Sequence, residues 1–333
     1  MTEHSHSKAL LIVNPVAGQS RGIRLGAKMK AALENHGLQC VVQETQGDGD
    51  AMRLSRSAAA DGFDLIVAIG GDGTLSEVVS GQARTDQKVP VAIVPAGTAN
   101  VVAMALALPW FPTLTVGTML ASRTLAFDVG YVPDQDRHFL LMAAIGYPAR
   151  VIQDSPRKLK NLFGIFTYIG AGVRNALHLG EFKIAVTDEN ENVHTYEGNT
   201  VLLSNIGQIS DLNLRMTPDT NAHDGRFDLA VISTRSIFEL IAVIFRMLTW
   251  RLFPGNRQAR RMDHMQAKKV TIETTPPVPV QIDGEVICET PLTAEIIAAG
   301  VQLIVGKRYR ADASEGGFLT DLKISHLWRP KSG

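Results

Sequence analysis

What the chain has little of narrows its chemistry first. Its 33 Lys and Arg are matched by 33 Asp and Glu, so it lacks the basic excess with which a protein grips many nucleic-acid phosphates. No nucleic-acid partner is expected, and only a local basic patch could meet an anionic surface. Cysteine is nearly absent: Cys40 and Cys288 stand far apart and no CxxC pair exists, which indicates neither a zinc cluster nor a disulfide framework. Long apolar runs are missing too. The longest, Ile237–Trp250, is broken by Glu239 and Arg246 and falls short of the roughly 20 residues that cross a bilayer. The N-terminal stretch MTEHSHSKALLIVNP lacks the apolar core and cleavage site of a secretory signal, so the expectation is a soluble, cytoplasmic protein. There is no internal repeat and no low-complexity segment. A hydrophobic share of 45% with 20% charged residues instead describes a globular chain with a real core, and its length suggests two domains.

The first part alternates two periodicities. Ala9–Asn14, Leu38–Glu44, Phe63–Ile69 and Val91–Pro95 are short β-rich runs ending at turn residues, and the spacing predicts helices over Arg21–Asn35, Ala51–Ala60 and Leu75–Ala83. Near-continuous apolar strands separated by helices predict a doubly wound parallel sheet covered on both faces, a three-layer α/β domain. Ligands of such sheets bind beyond the carboxyl ends of the strands. That is where Asn14–Gly18, Gly70–Thr74 and Pro95–Thr98 all fall.

After about Thr124 strands dominate: Leu125–Val132, His138–Ile145, Phe182–Asp188, Thr200–Asn205, Phe227–Ser233, Lys269–Glu273, Val278–Ile282 and Val301–Val305, with helical stretches near Lys158–Leu177 and Ile237–Trp250. This predicts a mainly antiparallel, sandwich-like or barrel-like second domain. The expected division is a nucleotide-binding domain over 1–128, a β-rich acceptor domain over 129–305 and a tail over 306–333. The tail has no clear periodicity; it would either trail or pack back on the first domain.

The most informative run is Gly70-Gly71-Asp72-Gly73-Thr74-Leu75-Ser76-Glu77. Glycines let a backbone approach an anion closely, and the following helix offers unpaired N–H groups and a partial positive charge. A plain strand-to-helix turn would explain the same residues. It is not a Walker loop, since no GxxxxGK[ST] occurs, and it is not a dinucleotide fingerprint, because Ser76 stands where Gly or Ala is wanted.

Gly70–Glu77 together with Pro95-Ala96-Gly97-Thr98-Ala99-Asn100 resembles the paired signature of the diacylglycerol kinase catalytic family, which includes soluble bacterial lipid kinases and sphingosine kinases and is distantly related to NAD kinases. Asn14–Gly18, Ser204-Asn205, Pro218 to Asp224-Gly225, and Asp283-Gly284-Glu285 follow in the family's order. The resemblance thus covers about residues 8–306. It implies that Gly70, Gly71, Asp72, Gly73, Thr74 and Glu77 surround the ATP phosphates, with Asp72 reaching the nucleotide's Mg²⁺. Thr98 would donate to a phosphate, Gly97 and Asn100 would shape and brace that loop, and Asn14, Gly18 and Thr45 would flank the nucleotide. Asp224, with main-chain carbonyls near Asn221 and Arg226, would form a second Mg²⁺ site. Asp283 and Glu285 would be catalytic carboxylates, Glu285 the favoured proton acceptor, although some members give that role to the aspartate matching Asp72.

The implied activity is ATP- and Mg²⁺-dependent phosphorylation of a hydroxyl on a diacylglycerol-like or sphingoid lipid in an interdomain cleft, with peripheral membrane contact and room for a homodimer. Lys158–Tyr168 resembles a helix near the family's lipid pocket. The apolar Ile237–Trp250, followed by Arg251, Arg257, Arg260 and Arg261, reads either as a bilayer-docking element or as a core helix with a solvated basic loop. Two features depart from the family pattern: Tyr147-Pro148 after Ile145-Gly146, and Gly207–Ser210 without a double glycine. Two other readings stay open. One is an NAD kinase-like enzyme with a soluble acceptor, although Val78–Ala99 has no Asn-Glu pair. The other is a non-catalytic nucleotide or lipid sensor, and an Asp-Gly pair between strands is by itself a strong turn signal.

Overall fold

A computed structural model describes residues 6–109, 112–120, 123–153, 180–206, 208–209, 214–215, 221–234 and 262–309. The stretches Lys158–Tyr168 and Ile237–Trp250, Arg251, Arg257, Arg260 and Arg261, and the tail from Arg310 onward lie outside the described residues.

The chain opens with β1 (Lys8–Val13), α1 (Ala17–Glu34), β2 (Gln39–Glu44), α2 (Asp50–Ser57), β3 (Leu65–Gly70), α3 (Asp72–Ala83), β4 (Val91–Pro95), α4 (Val101–Ala105) and α5 (Pro112–Leu120). The four strands run parallel in the order β2-β1-β3-β4. Alternate side chains leave the sheet on opposite faces. Leu10, Ile12, Ile66, Ala68 and Ile93 pack with Leu75, Val78 and Val102 from α3 and α4. Leu11, Val13, Val67, Ile69 and Val94 pack with Met29, Leu33, Val116 and Met119 from α1 and α5. Each fully buried aliphatic side chain of this kind stabilises by about 1.5–3 kcal/mol. β3 is buried at all six positions, as a central strand covered on both faces must be.

The chain then adds β5 (Thr124–Val132), β6 (Arg137–Phe139), β7 (Met142–Gly146), α6 (Tyr147–Gln153), β8 (Phe182–Asp188), β9 (Val193–Gly198), β10 (Thr200–Ser204), β11 (Gln208–Ile209), β12 (Leu214–Arg215), β13 (Phe227–Ile232), β14 (Met262–Ala267), β15 (Lys269–Thr275), β16 (Pro279–Ile282), β17 (Glu285–Glu289) and β18 (Leu292–Ile304). Six of these form the antiparallel sheet β14-β13-β10-β7-β16-β17. It faces β18, β15, β8 and β9 across a core that includes Phe139, Phe182, Phe227, Val201, Val270 and Val280. An α/β unit followed by an antiparallel β-sandwich is the architecture the sequence predicted.

Three departures matter for the site. First, the strand expected over Val301–Val305 begins at Leu292 and runs for thirteen residues. It pairs antiparallel with β15 and β5 and meets β4 in parallel at Leu303–Val91. One ten-stranded sheet therefore passes through both halves. Second, the strand expected over His138–Ile145 is broken at Leu140-Leu141 into β6 and β7. Third, α1 starts at Ala17 rather than Arg21 and α3 at Asp72 rather than Leu75, because glycines disguise both helix starts. A Cβ on Gly18 would stand 2.2 Å from the Ala96 carbonyl oxygen, and one on Gly22 would stand 2.0 Å from that of Asn14. Weak helix formers thus occupy the turns where α1 lies against two loops.

Candidate active site

Three loops leave the carboxyl ends of β1, β3 and β4 side by side. The Asn14 amide donates to the Ile69 carbonyl and the Ala96 amide to that of Gly70, at 2.9 and 2.8 Å. The Asn14 side-chain Nδ2 donates to Thr74 Oγ1 at 3.0 Å. Gly71 and Gly97 meet face to face: a Cβ on Gly97 would lie 2.6 Å from the Gly71 Cα. Asn100 sits in the left-handed region (φ 49°), accepts from the Gly97 amide at 2.9 Å and donates to the Gly97 carbonyl at 2.8 Å. The loop is thereby closed on itself. The exposed edge of this cluster carries Gly73 and Thr98, and nothing lies within 4 Å of where a Gly73 Cβ would be. Thr45, just past β2, anchors its amide on Val13. The Glu77 carboxylate does not join the loop edge; it accepts from the Ala51 amide at 3.0 Å in the first turn of α2.

Asp72 begins α3, and its Oδ1 accepts from the Val102 amide at 3.3 Å in the first turn of α4. Burial pushes its carboxyl up from the ordinary value, while the amides of Val102, Val101 and Asn100 pull it back. The turn between β16 and β17 has positive φ at both Asp283 (45°) and Gly284 (92°), as a two-residue hairpin demands. It is therefore a hairpin turn, as its sequence signals, and also something more. Asp283 turns inward: Oδ2 accepts from the Leu140 amide at 2.7 Å, and Oδ1 from Leu141 and Met142 at 3.0 Å each. The break between β6 and β7 frees those three amides. Burial raises the Asp283 carboxyl to about 6, with the Asp72 charge adding to the rise. The glycine-loop acid and the acidic turn meet through one core cluster, in which Val102 beside Asp72 packs with Leu140 and Leu141 beside Asp283. Glu285, one residue beyond the turn, is exposed and ion-paired with Arg137 of β6.

The Asn221–Arg226 loop joins the same core cluster through Ala222, which packs with Leu75, Leu140 and Leu141. Gly225 turns at φ 71°, and Asp224 Oδ1 accepts from the Arg226 amide at 3.0 Å. Burial and the like charges of Asp228 and Asp128 push the Asp224 carboxyl up. Among the described residues no three His, Cys, Asp or Glu side chains converge as metal ligands. The donors here are one carboxylate under negative pressure and main-chain carbonyls, oxygen ligands of the type Mg²⁺ takes.

Sequence reasoning missed Asp128. It lies 3% exposed in an otherwise apolar strand and accepts from the amides of Gly225 at 2.7 Å and Ala299 at 2.8 Å. An acid inside an apolar strand needs such partners, and that was the available signal. Asn205, by contrast, was marked by its place in the motif order. Its Nδ2 donates to the carbonyls of Asp128 and Leu140 at 2.7 and 2.9 Å, bracing the β6–β7 break.

Among the described residues no helix is long and apolar enough to cross a membrane. Residues 8–132 match the family model of the diacylglycerol kinase catalytic domain, and residues 142–305 match that of the YegS C-terminal NAD kinase beta sandwich-like domain. The chain is 27% identical over 284 residues to a diacylglycerol kinase of Bacillus subtilis, covering 84% of this chain and 89% of that one. A diacylglycerol kinase of Staphylococcus epidermidis is 24% identical over 316 residues, 95% of this chain and 98% of its own. A solved diacylglycerol kinase structure from Bacillus anthracis superposes with a TM-score of 0.70 over 92% of this chain and 99% of that one; at 22% identity it attests to the fold alone. With both halves matched in order and the loops meeting at one site, the chain belongs to the diacylglycerol kinase catalytic family.

Proposed function

We propose that the protein transfers the γ-phosphate of ATP to a hydroxyl of a diacylglycerol-like or sphingoid lipid. The observation that carries this reading is geometric: Asp72 of the glycine loops caps α4 at Val102, Asp283 of the acidic turn holds the amides of Leu140 and Leu141, and Val102, Leu140 and Leu141 pack in one core cluster. Phosphoryl transfer asks a protein for positioning, charge neutralisation and a proton acceptor rather than covalent chemistry. The Gly70–Thr74 and Gly97–Asn100 loops, with Asn14, Gly18 and Thr45, hold the triphosphate. Its negative charge is met by main-chain amides and the N-terminus of α3. Asp72 would face the nucleotide's metal, Mg²⁺ would neutralise phosphate charge, and Asp224 with main-chain carbonyls near Asn221 and Arg226 would hold a second ion.

Three of the four lone-pair positions of the Asp283 carboxylate are taken by amides, which makes it an anchor for the turn. Glu285 keeps an exposed carboxylate within reach of a hydroxyl arriving from solvent or a lipid surface. It is the proton acceptor of this reading, and Arg137 orients it between turnovers.

The test is incubation with radiolabelled ATP and, in parallel, a total lipid extract, diacylglycerol vesicles and NAD. Label in the lipid phase is the expected result. Label in NAD would point to a soluble acceptor. Tight ATP binding with no labelled product would make the fold a sensor and overturn the kinase reading.

A further inference from the structure

Tyr309 stands at the end of the described chain, yet it is 5% exposed. The segment leading to it leaves β18 and returns to the α/β half. The Val305 amide donates to the Arg123 carbonyl at 3.0 Å and the Gly306 amide to that of Leu106 at 2.9 Å. A Cβ on Gly306 would fall 1.7 Å from the Ala107 carbonyl oxygen, so no other residue fits without moving the end of α4. Arg123 also donates through Nη1 to the Tyr309 carbonyl at 2.7 Å. The ring of Tyr309 is thereby fixed, with Phe127 5.4 Å away between centroids.

Phe127 also packs against His223, at 4.5 Å between centroids, and the His223 and Tyr309 rings meet edge to face at 6.2 Å. His223 belongs to the Asn221–Arg226 loop, and both of its nitrogens are engaged. Nδ1 meets the Ala126 carbonyl and Nε2 meets the Tyr309 hydroxyl at 3.1 Å. A carbonyl only accepts, so in the neutral imidazole Nδ1 carries the hydrogen, Nε2 is the acceptor and the phenol donates. The His223 amide itself donates to Asn221 Oδ1 at 3.2 Å. The next residue is Asp224, and beyond it the Gly225 amide is held by Asp128. The loop is thus pinned on both sides of Asp224.

We propose that Tyr309 and His223 are positioning residues for the second metal ion: their hydroxyl–imidazole bond holds the Asn221–Arg226 loop in the shape that presents Asp224 and the neighbouring carbonyls, with the Val305–Tyr309 return segment as its anchor. This rests on the reading of that loop as an Mg²⁺ site. It also gives the return segment a task that its sequence, without periodicity, does not announce. The path is contiguous: Asp72 caps α4, the end of α4 holds Gly306, and Tyr309 reaches the metal loop.

The experiment uses the full chain and Mn²⁺ as a spectroscopic stand-in, with free Mn²⁺ read by electron paramagnetic resonance. Tyr309→Phe keeps the ring and deletes the hydroxyl. It should raise the Mn²⁺ concentration for half-saturation about five- to tenfold, the size of one lost neutral hydrogen bond. In chelator the melting temperature should stay close to wild type, whereas the metal-induced rise should shrink; a packing role would lower both alike. His223→Asn, which keeps a donor for Ala126 and loses Nε2, should repeat the effect and serves if the first variant misfolds. Asp224→Asn is the reference. If it binds Mn²⁺ like wild type, the metal-site reading of the loop is wrong. If it loses the ion while Tyr309→Phe and His223→Asn bind as wild type does, the positioning role is wrong and the metal reading stands.

Discussion

Glu285 and Asp283 are two residues apart and differ in nearly every physical respect. The exposed glutamate pairs with Arg137, and the aspartate is fixed by three amides. Glu285→Gln should lower kcat by about 10²–10⁴ with the KM for ATP little changed, the range for loss of a general base; steady-state kinetics on lipid vesicles would read it, and a kcat near wild type would remove Glu285 from the role. Asp283 makes a different prediction. Its carboxyl is raised from 3.8 to about 6, so the fold favours the protonated form. Its contribution to stability is therefore fully present below the ordinary carboxylate value and is lost as the pH rises through about 6. Melting curves should show the stability of wild type minus that of Asp283→Asn falling from pH ~4 to ~6 and flat above. A signed difference that rises with pH would mean the three amides outweigh burial. The motif order in the sequence named both acids. It could not say which one turns inward, because the donors that decide it come from a strand break about 140 residues earlier in the chain.

Among the elements, the glycine-bearing loops were legible because a tight turn before a helix has a sequence signature. Their mutual contact was not, since it depends on how far apart β3 and β4 place them. Two substitutions separate the loops' structural work from their ligand work. Gly97→Ala would drive a methyl to 2.6 Å from the Gly71 Cα, prising the loops apart; overpacking of this sort costs about 1–3 kcal/mol and should appear in denaturant titration along with weakened ATP binding. Gly73→Ala meets nothing within 4 Å. Its stability should stay within about 0.5 kcal/mol of wild type, while ATP affinity, read with a fluorescent analogue, falls because the methyl occupies the approach to the phosphates. Equal effects of the two on stability would contradict this division. The short α4 has no apolar periodicity, and the helix implied to start at Thr98 begins at Val101. It exists because Asp72, from a different loop, takes its first-turn amides.

For the molecule as a whole, the sequence distinguished a parallel α/β half from an antiparallel half through strand period and spacing. It gave no sign that β18 belongs to both. A strand's pairing partners are set by tertiary context, and the change of partner in β18 occurs at a register shift between Ile297 and Val301. A fragment ending near residue 132 would leave β4 and β5 without β18, exposing unpaired edges and the hydrophobic surface that Val301 and Leu303 cover. That fragment should aggregate or remain unfolded by circular dichroism, and the intact chain should melt in a single calorimetric transition. Two resolved transitions would show that the halves stand independently. The shared strand also limits how such an enzyme can move. Kinases commonly shut their lobes over a nucleotide by swinging about a flexible connector, but here a continuous hydrogen-bonded ladder through β18 joins the two halves. On the proposed reading, enclosure of the reacting groups would then fall to the lipid and the surface it lies in, so that a greasy substrate would serve as its own lid.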